Sequence, residues 1–182
     1  MVLVLLIHSG LVILWTALDP ELMVHVTPSG AAYWEESREW ILTGENPEYE
    51  LQSWLPAHLQ LLGGVVILNV LTLGGATLVG GIEQIDMMNY YVGQLLTHSS
   101  APLVSATLGW HPWSVCRGIG YLFITFETVS LSLGQLAGQN FSKLPTRQLR
   151  WGIGLSFIVL DGIVKWSCME HVRDILNQYY GL

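Results

Sequence analysis

The sequence is poor in charged residues, in basic residues and in cysteine. Only 12% of its 182 residues are charged, lysine and arginine together number seven, and there are two cysteines. Two cysteines cannot form the disulfide framework of a small secreted domain. The net charge of −7 excludes the basic surface that nucleic acid requires, so we expect no nucleic-acid partner.

Recognisable catalytic motifs are also missing. The chain has no GxxxxGK[ST] phosphate loop, no HExxH, no CxxC and no GxSxG. We therefore expect a protein that is not an enzyme and has no catalytic residues. Because no two histidines stand four residues apart, we also expect no metal site.

Long apolar blocks make up much of the chain, and 51% of its residues are hydrophobic. A helix needs about 20 residues to cross a bilayer. The sequence therefore predicts an all-α fold, a polytopic membrane helix bundle that forms one transmembrane domain of about five spans. The predicted spans are residues 2–18, 57–81, 87–108, 114–138 and 151–169.

Two of these spans have competing interpretations. Residues 2–18 could be a signal peptide, but the basic n-region and a small-residue cleavage site are missing. Residues 87–108 contain Gln94, His98 and Pro102, so they form either a kinked span or a re-entrant segment. Charge favours full crossing, because the basic residues 139–150 should be cytoplasmic and the acidic stretch after the first span should lie outside.

Residues 31–42 predict a short amphipathic helix between the first two spans. Its apolar and small residues recur at helical spacing: Tyr33, Trp34, Ser37, Trp40 and Ile41. The acids and Arg38 fall on the opposite side. Since tryptophan and tyrosine favour the headgroup region, we expect this helix to lie along the membrane surface. Packing on a partner protein is the alternative.

Polar side chains within the predicted spans need partners. A carboxylate such as Glu127 costs at least ~3 kcal/mol in mid-membrane unless it is paired, protonated or hydrated. Asp161 and Lys165 have the i, i+4 spacing of a helical ion pair. Asn69 is expected to make an interhelical hydrogen bond. We interpret these groups as structural, and a proton or ion relay is the alternative.

Small residues surround Glu127 along one helix face. Gly120 and Gly134 lie seven residues before and after it, which places all three on the same side. This face should pack closely on another span, with Asn69 or Lys165 as candidate neighbours of the acid.

His8 in the first span and His98 in the third are the candidate cofactor-binding residues. One imidazole is enough to ligate haem or a chlorophyll magnesium, whereas the simpler interpretation is a neutral histidine bonded to a neighbouring helix. The cofactor would be a chlorophyll-type pigment, a haem or a quinone held with partner subunits. Cys116 and Cys168, near the outer ends of their spans, are either free thiols or a disulfide.

The order of these features is informative. A first span is followed by an outer amphipathic segment, two glycine-rich spans, and His111-Pro112 before the span that bears Glu127. This layout resembles that of the stage II sporulation protein M family of integral membrane proteins. The resemblance covers most of the chain as topology, and it implies a non-enzymatic accessory protein that works with partners.

We therefore predict an accessory or structural subunit of a larger membrane complex, located in a prokaryotic inner or photosynthetic membrane. Its partners would be other integral membrane subunits and the lipid bilayer. One alternative is a pigment-, haem- or quinone-binding subunit of a photosynthetic or respiratory complex. Another is a small transporter or proton channel that uses Glu127 and Asp161.

Overall fold

The computed structural model describes residues 2–45, 51–138 and 145–180. These residues are almost entirely helical, and their β structure is one isolated bridge between Ser99 and Tyr180. The predicted all-α class is confirmed. The helices are α1 (Val2–Leu18), α2 (Pro20–Val26), α3 (Pro28–Thr43), α4 (Leu51–Thr72), α5 (Gly75–His98), α6 (Pro102–Gly109), α7 (Pro112–Leu136) and α8 (Pro145–Tyr179).

Three helical stretches of the described chain are long and apolar enough to cross a membrane. They are Gln52–Thr72 in α4, Pro102–Leu136 across α6 and α7, and Arg147–Tyr179 in α8. They correspond to three of the five predicted spans. Helix α1 contributes a shorter apolar helix, Val4–Leu18, so the other two crossings stay predictions.

Two predicted spans, residues 57–81 and 87–108, are each divided between two helices in the structure. Helix α4 ends at Thr72 because Leu73 and Gly74 adopt positive φ angles of 51° and 90°. The predicted span at residues 87–108 is divided between α5 and α6, since Pro102 disfavours a helical conformation in the residue before it. The fifth predicted span, residues 151–169, is part of a longer helix, because α8 extends beyond it at both ends.

The described residues divide into two compact units. The first contains residues 2–45, 81–111 and 168–180, and the second contains residues 51–80, 112–138 and 145–167.

In the first unit, α1 and α5 pack side by side and run in the same direction. His8 Nε2 lies 2.7 Å from Asp86 Oδ1. Further along both helices, a Cβ on Gly93 would lie 2.6 Å from Thr16 Cβ, so only glycine permits this approach. Residues 89–95 of α5 are all buried, so this stretch contacts protein on every side.

The amphipathic pattern of α3 is confirmed. Its apolar face is buried and its acids are exposed. This face packs on the chain's own α5, where the rings of Tyr33 and Trp34 lie 5.5 and 5.9 Å from that of Tyr91. The expected contact with lipid headgroups is therefore replaced, on the aromatic side of α3, by contact with protein.

The second unit is built from α4, α7 and α8. Helices α4 and α7 run in parallel, since Asn69 Nδ2 donates to Thr125 Oγ1 at 3.3 Å and Gly74, just after the end of α4, lies against Val129 further along α7. Helices α7 and α8 run antiparallel and cross closely at a pair of facing glycines, Gly120 and Gly154. The close approach predicted for the small-residue face of α7 is confirmed.

The glycine crossing yields a paired prediction. A Cβ on Gly120 would lie 2.8 Å from Ile158 Cγ1 and 2.9 Å from Gly154 O, whereas one on Gly118 would meet nothing within 4 Å. We expect Gly120→Ala to lower the free energy of unfolding by about 1–3 kcal/mol through overpacking. Gly118→Ala should be neutral or stabilising by up to ~1 kcal/mol, because alanine favours the helix. Thermal unfolding in detergent measures both, and equal midpoints would contradict the close crossing.

Candidate functional site

Glu127 is fully buried in α7 and faces two arginines of α8. Its Oε2 lies 3.6 Å from Arg147 Nε and its Oε1 lies 2.5 Å from Arg150 Nε. Within the described chain neither oxygen accepts an aligned hydrogen bond, so the contact is one of charge with charge. The Arg150 guanidinium also lies 5.4 Å from the centre of the Phe126 ring, within cation–π distance.

The arginine contacts of Glu127 differ from the neighbours that the sequence suggested for this acid. Asn69 and Lys165 were the candidates, but Asn69 donates to Thr125 and the acid pairs with arginines from the predicted inner loop. The reason is that α8 begins at Pro145, six residues before the predicted start of the span at residue 151. Arg147 and Arg150 are therefore helical, and their side chains extend along α7.

Asp161 is the second buried acid of this unit, and it contacts Arg117 of α7. Arg117 Nε donates to Oδ2 at 3.1 Å and Nη2 to Oδ1 at 3.4 Å, the two-pronged geometry of an arginine–carboxylate pair. The sequence interpretation missed Arg117. The sequence could have indicated this pair, because Arg117 is the one basic residue of the predicted span 114–138. Counted from the α7–α8 connection, Arg117 also lies at a depth similar to that of Asp161.

Lys165 lies one turn after Asp161 and is also buried. The predicted Asp161–Lys165 ion pair is compatible with this position and stays a prediction.

Aromatic rings and a buried histidine lie in the same unit. The rings of Trp54 and His58 stack with centroids 4.2 Å apart, and Trp166 meets Trp54 edge-on at 4.8 Å. His58 Nδ1 lies 2.9 Å from Trp54 O, so the Nδ1 proton is donated to that carbonyl. Among the described residues, no group donates a hydrogen bond to His58 Nε2.

His8, a candidate cofactor ligand, hydrogen-bonds to a neighbouring helix. Its Nε2 is the nitrogen that contacts Asp86 at 2.7 Å, as the simpler interpretation expects. A cofactor role for His8 stays a prediction.

His98, the other candidate, ends α5 beside an open cleft of about 330 Å³ in the first unit. Its Nδ1 lies 3.0 Å from Gln94 O, so the neutral ring keeps the Nε2 lone pair. The Trp34 and Tyr180 rings lie 5.6 and 6.3 Å from its ring. The volume is near the lower limit of about 300–1,000 Å³ for small-molecule sites, so a compact group fits better than a large macrocycle.

The remaining candidate residues do not assemble into a metal centre within the part of the chain that the structure describes. No three of its His, Cys, Asp or Glu side chains gather closely enough to hold an ion. Cys116 and Cys168 are not joined by a disulfide.

Comparison of the chain with protein families, with curated proteins and with solved structures finds no match. The resemblance to the stage II sporulation protein M family therefore stays a prediction, and function has to be argued from the geometry of the chain itself.

The Arg117–Asp161 contact predicts the outcome of pairwise substitution. Arg117→Leu should remove the two-pronged partner of a buried carboxylate and cost about 3–5 kcal/mol of unfolding free energy. The double variant Arg117→Leu/Asp161→Leu should recover part of this loss, because the carboxylate no longer lies unpaired, although buried Lys165 then loses the acid one turn before it. Unfolding in detergent measures both variants.

The control is Arg173→Leu, which removes an arginine whose acid partners, Glu170 and Asp174, are largely exposed, and it should change stability by less than ~1 kcal/mol. A double variant no more stable than Arg117→Leu would show that the two residues do not act as a pair. The same comparison with Lys165→Leu tests the predicted Asp161–Lys165 pair.

Proposed function

We propose that the chain is a multi-pass integral membrane protein that acts as a non-enzymatic structural or accessory subunit of a larger membrane complex. The observation that carries the proposal is the pairing of both buried acids of the second unit with arginines of the same chain. An acid in a proton pathway must take up and release a proton, and one in an ion pathway must be accessible to the ion, whereas an acid held by arginines joins helices.

The outward-facing residues support a membrane environment. In an apolar 18-residue window of each of the three long stretches, only 11%, 33% and 22% of the residues are buried within the chain. Their apolar side chains therefore face outward, as on helices surrounded by lipid.

The directions of the packed helices support the five-span arrangement. Helices α4 and α7 are parallel, so the chain between them must return to the end at which α4 began. Helices α1 and α5 are also parallel, and α7 and α8 are antiparallel. If five successive spans cross the membrane in alternating directions, the first and third spans are parallel, the second and fourth are parallel, and the fourth and fifth are antiparallel. These are the directions observed for α1 and α5, for α4 and α7, and for α7 and α8.

The charge of the first unit supports a partner. Its exposed acids outnumber its bases, and α3 carries two of them one turn apart, Glu36 and Glu39, outside the ion pair of Glu35 with Arg38. A surface of one sign selects a partner of the opposite sign. The partner subunit would present basic residues to these acids.

A second candidate function is favoured by His98. An imidazole beside an aromatic cleft is suited to a cofactor, so a pigment-, haem- or quinone-binding subunit of an energy-converting complex is the alternative, and of these three groups the cleft volume favours the quinone.

Purification from native membranes in mild detergent tests the proposal. We expect at least one integral membrane protein to co-purify at constant stoichiometry, without a visible absorption band. Because the exposed acids of α3 would hold this partner, Glu36→Lys/Glu39→Lys should reduce its recovery at least fivefold. Glu83→Lys, at an exposed acid of α5, is the matched control and should retain it. A chain that purifies alone would contradict the proposal, and a bound chromophore would favour the second candidate.

Cysteine labelling tests the five-span arrangement. In a background of Cys116→Ser and Cys168→Ser, Ser29→Cys should react with an impermeant thiol reagent in intact cells. Ser142→Cys, in the basic segment that lies outside the described residues, should react only after permeabilisation. The reason is that basic segments stay cytoplasmic. Labelling of both positions from the same side would rule out this arrangement.

A further inference from the structure

The cleft beside His98 lies where three distant parts of the first unit meet. It is bounded by the start of α2, by α3, and by the ends of α5 and α8, and its volume is about 330 Å³. The residues that line it and carry the argument are Trp34, Glu35, Arg38, Tyr90, His98 and Tyr180.

One side of the cleft is aromatic. Trp34, His98 and Tyr180 form a continuous cluster with ring centres separated by 5.6, 6.0 and 6.3 Å, in which Trp34 is buried and the rings of His98 and Tyr180 are accessible to a ligand. The faces of such rings carry partial negative charge and attract ammonium groups, quaternary ammonium above all.

Arg38 supplies a positive charge beside the aromatic cluster. Its Nε donates to Tyr180 Oη at 2.9 Å, and its Nη1 donates to Glu35 Oε2 at 3.3 Å. These bonds use two of the five guanidinium donors and leave Nη2 for an anion such as phosphate. The Arg38 and Glu35 side chains are 47% and 66% exposed, so both charges can be reached by a ligand.

The cleft lies at a boundary between apolar and polar surface. Trp15 and Leu18, at the end of α1, are exposed apolar residues, and Pro20 of the cleft follows within one turn. The adjoining Asp19 and Glu21 are exposed acids. In a membrane protein this boundary corresponds to the headgroup layer.

We propose that the cleft binds the zwitterionic headgroup of a membrane phospholipid, in which a phosphate is joined to an ammonium group. Arg38 would contact the phosphate, and the aromatic cluster with Glu35 would contact the ammonium. A compact headgroup suits the volume, and the acyl chains would lie along the exposed apolar end of α1. The inference rests on the proposed membrane placement but not on the partner subunit.

Native mass spectrometry of the full-length protein in non-ionic detergent tests this inference. During titration with phosphatidylcholine we expect one lipid to bind with an affinity at least tenfold higher than that of phosphatidylglycerol, which has the phosphate without the ammonium. Arg38→Gln should weaken phosphatidylcholine binding at least tenfold. Its matched control is Arg173→Gln, an arginine of the same unit outside the cleft, which should bind like the wild type.

Two further variants separate the parts of the headgroup. Tyr180→Phe keeps the ring but removes the hydroxyl that positions Arg38, so it should weaken binding about threefold while the protein stays folded. Glu35→Gln should weaken phosphatidylcholine binding and leave phosphatidylglycerol binding unchanged, because only the former carries the ammonium. Equal binding by the Arg38→Gln and Arg173→Gln variants, or equal affinity for the two lipids, would overturn the proposal.

The lipid is distinguished from a soluble headgroup by competition with glycerophosphocholine. Displacement only at concentrations at least a hundredfold above that of the lipid supports a membrane phospholipid as occupant. Equal affinities would overturn the lipid assignment. Lipid binding and partner recovery are separate measurements, so failure of one leaves the result of the other intact.

Discussion

A carboxylate buried among apolar helices needs a cation beside it, and two such pairs join α7 to α8 in the second unit. Removing an ion from water costs several kcal/mol, so each pair is stable only in the register that brings its members into contact. Asp161 fixes one end of the antiparallel α7–α8 pair and Glu127 fixes the other. Between them, Gly120 and Gly154 let the helices approach closely. A shift of one residue along either helix would separate both ion pairs and replace a glycine with a side chain.

The first unit is held together differently. Its centre is the stretch of α5 at residues 89–95, which is buried on all sides and includes polar residues. Aromatic rings of α3 pack against it, and Gly93 lets α1 approach. This packing leaves His98, at the end of α5, beside an open cleft rather than in the core. The second unit carries most of the exposed large apolar side chains, and the first carries the exposed acids of α3 and the cleft.

Much of the fold follows from patterns in the sequence, whereas the pairing of side chains does not. The period of Trp34, Ser37 and Ile41 predicts both the helix α3 and its buried face, because burial of one side is what creates that period. The end of α4 at Thr72 was missed because apolar composition continues through the turn, and a positive φ leaves no trace in hydropathy. The arginine partners of Glu127 were missed because α8 starts outside its apolar segment. The cleft could not be predicted, since its residues come from segments far apart in the chain.

The central claim, that the buried acids join helices, is tested most directly by a double-mutant cycle of Glu127→Gln and Arg150→Gln. The quantity measured is the coupling in unfolding free energy, obtained in detergent from the wild type, the two single variants and the double variant. A structural ion pair predicts a coupling of about 1–3 kcal/mol, the range for residues in direct contact. Strictly additive effects would contradict the account, because Glu127 would then not depend on the arginine that the structure places beside it.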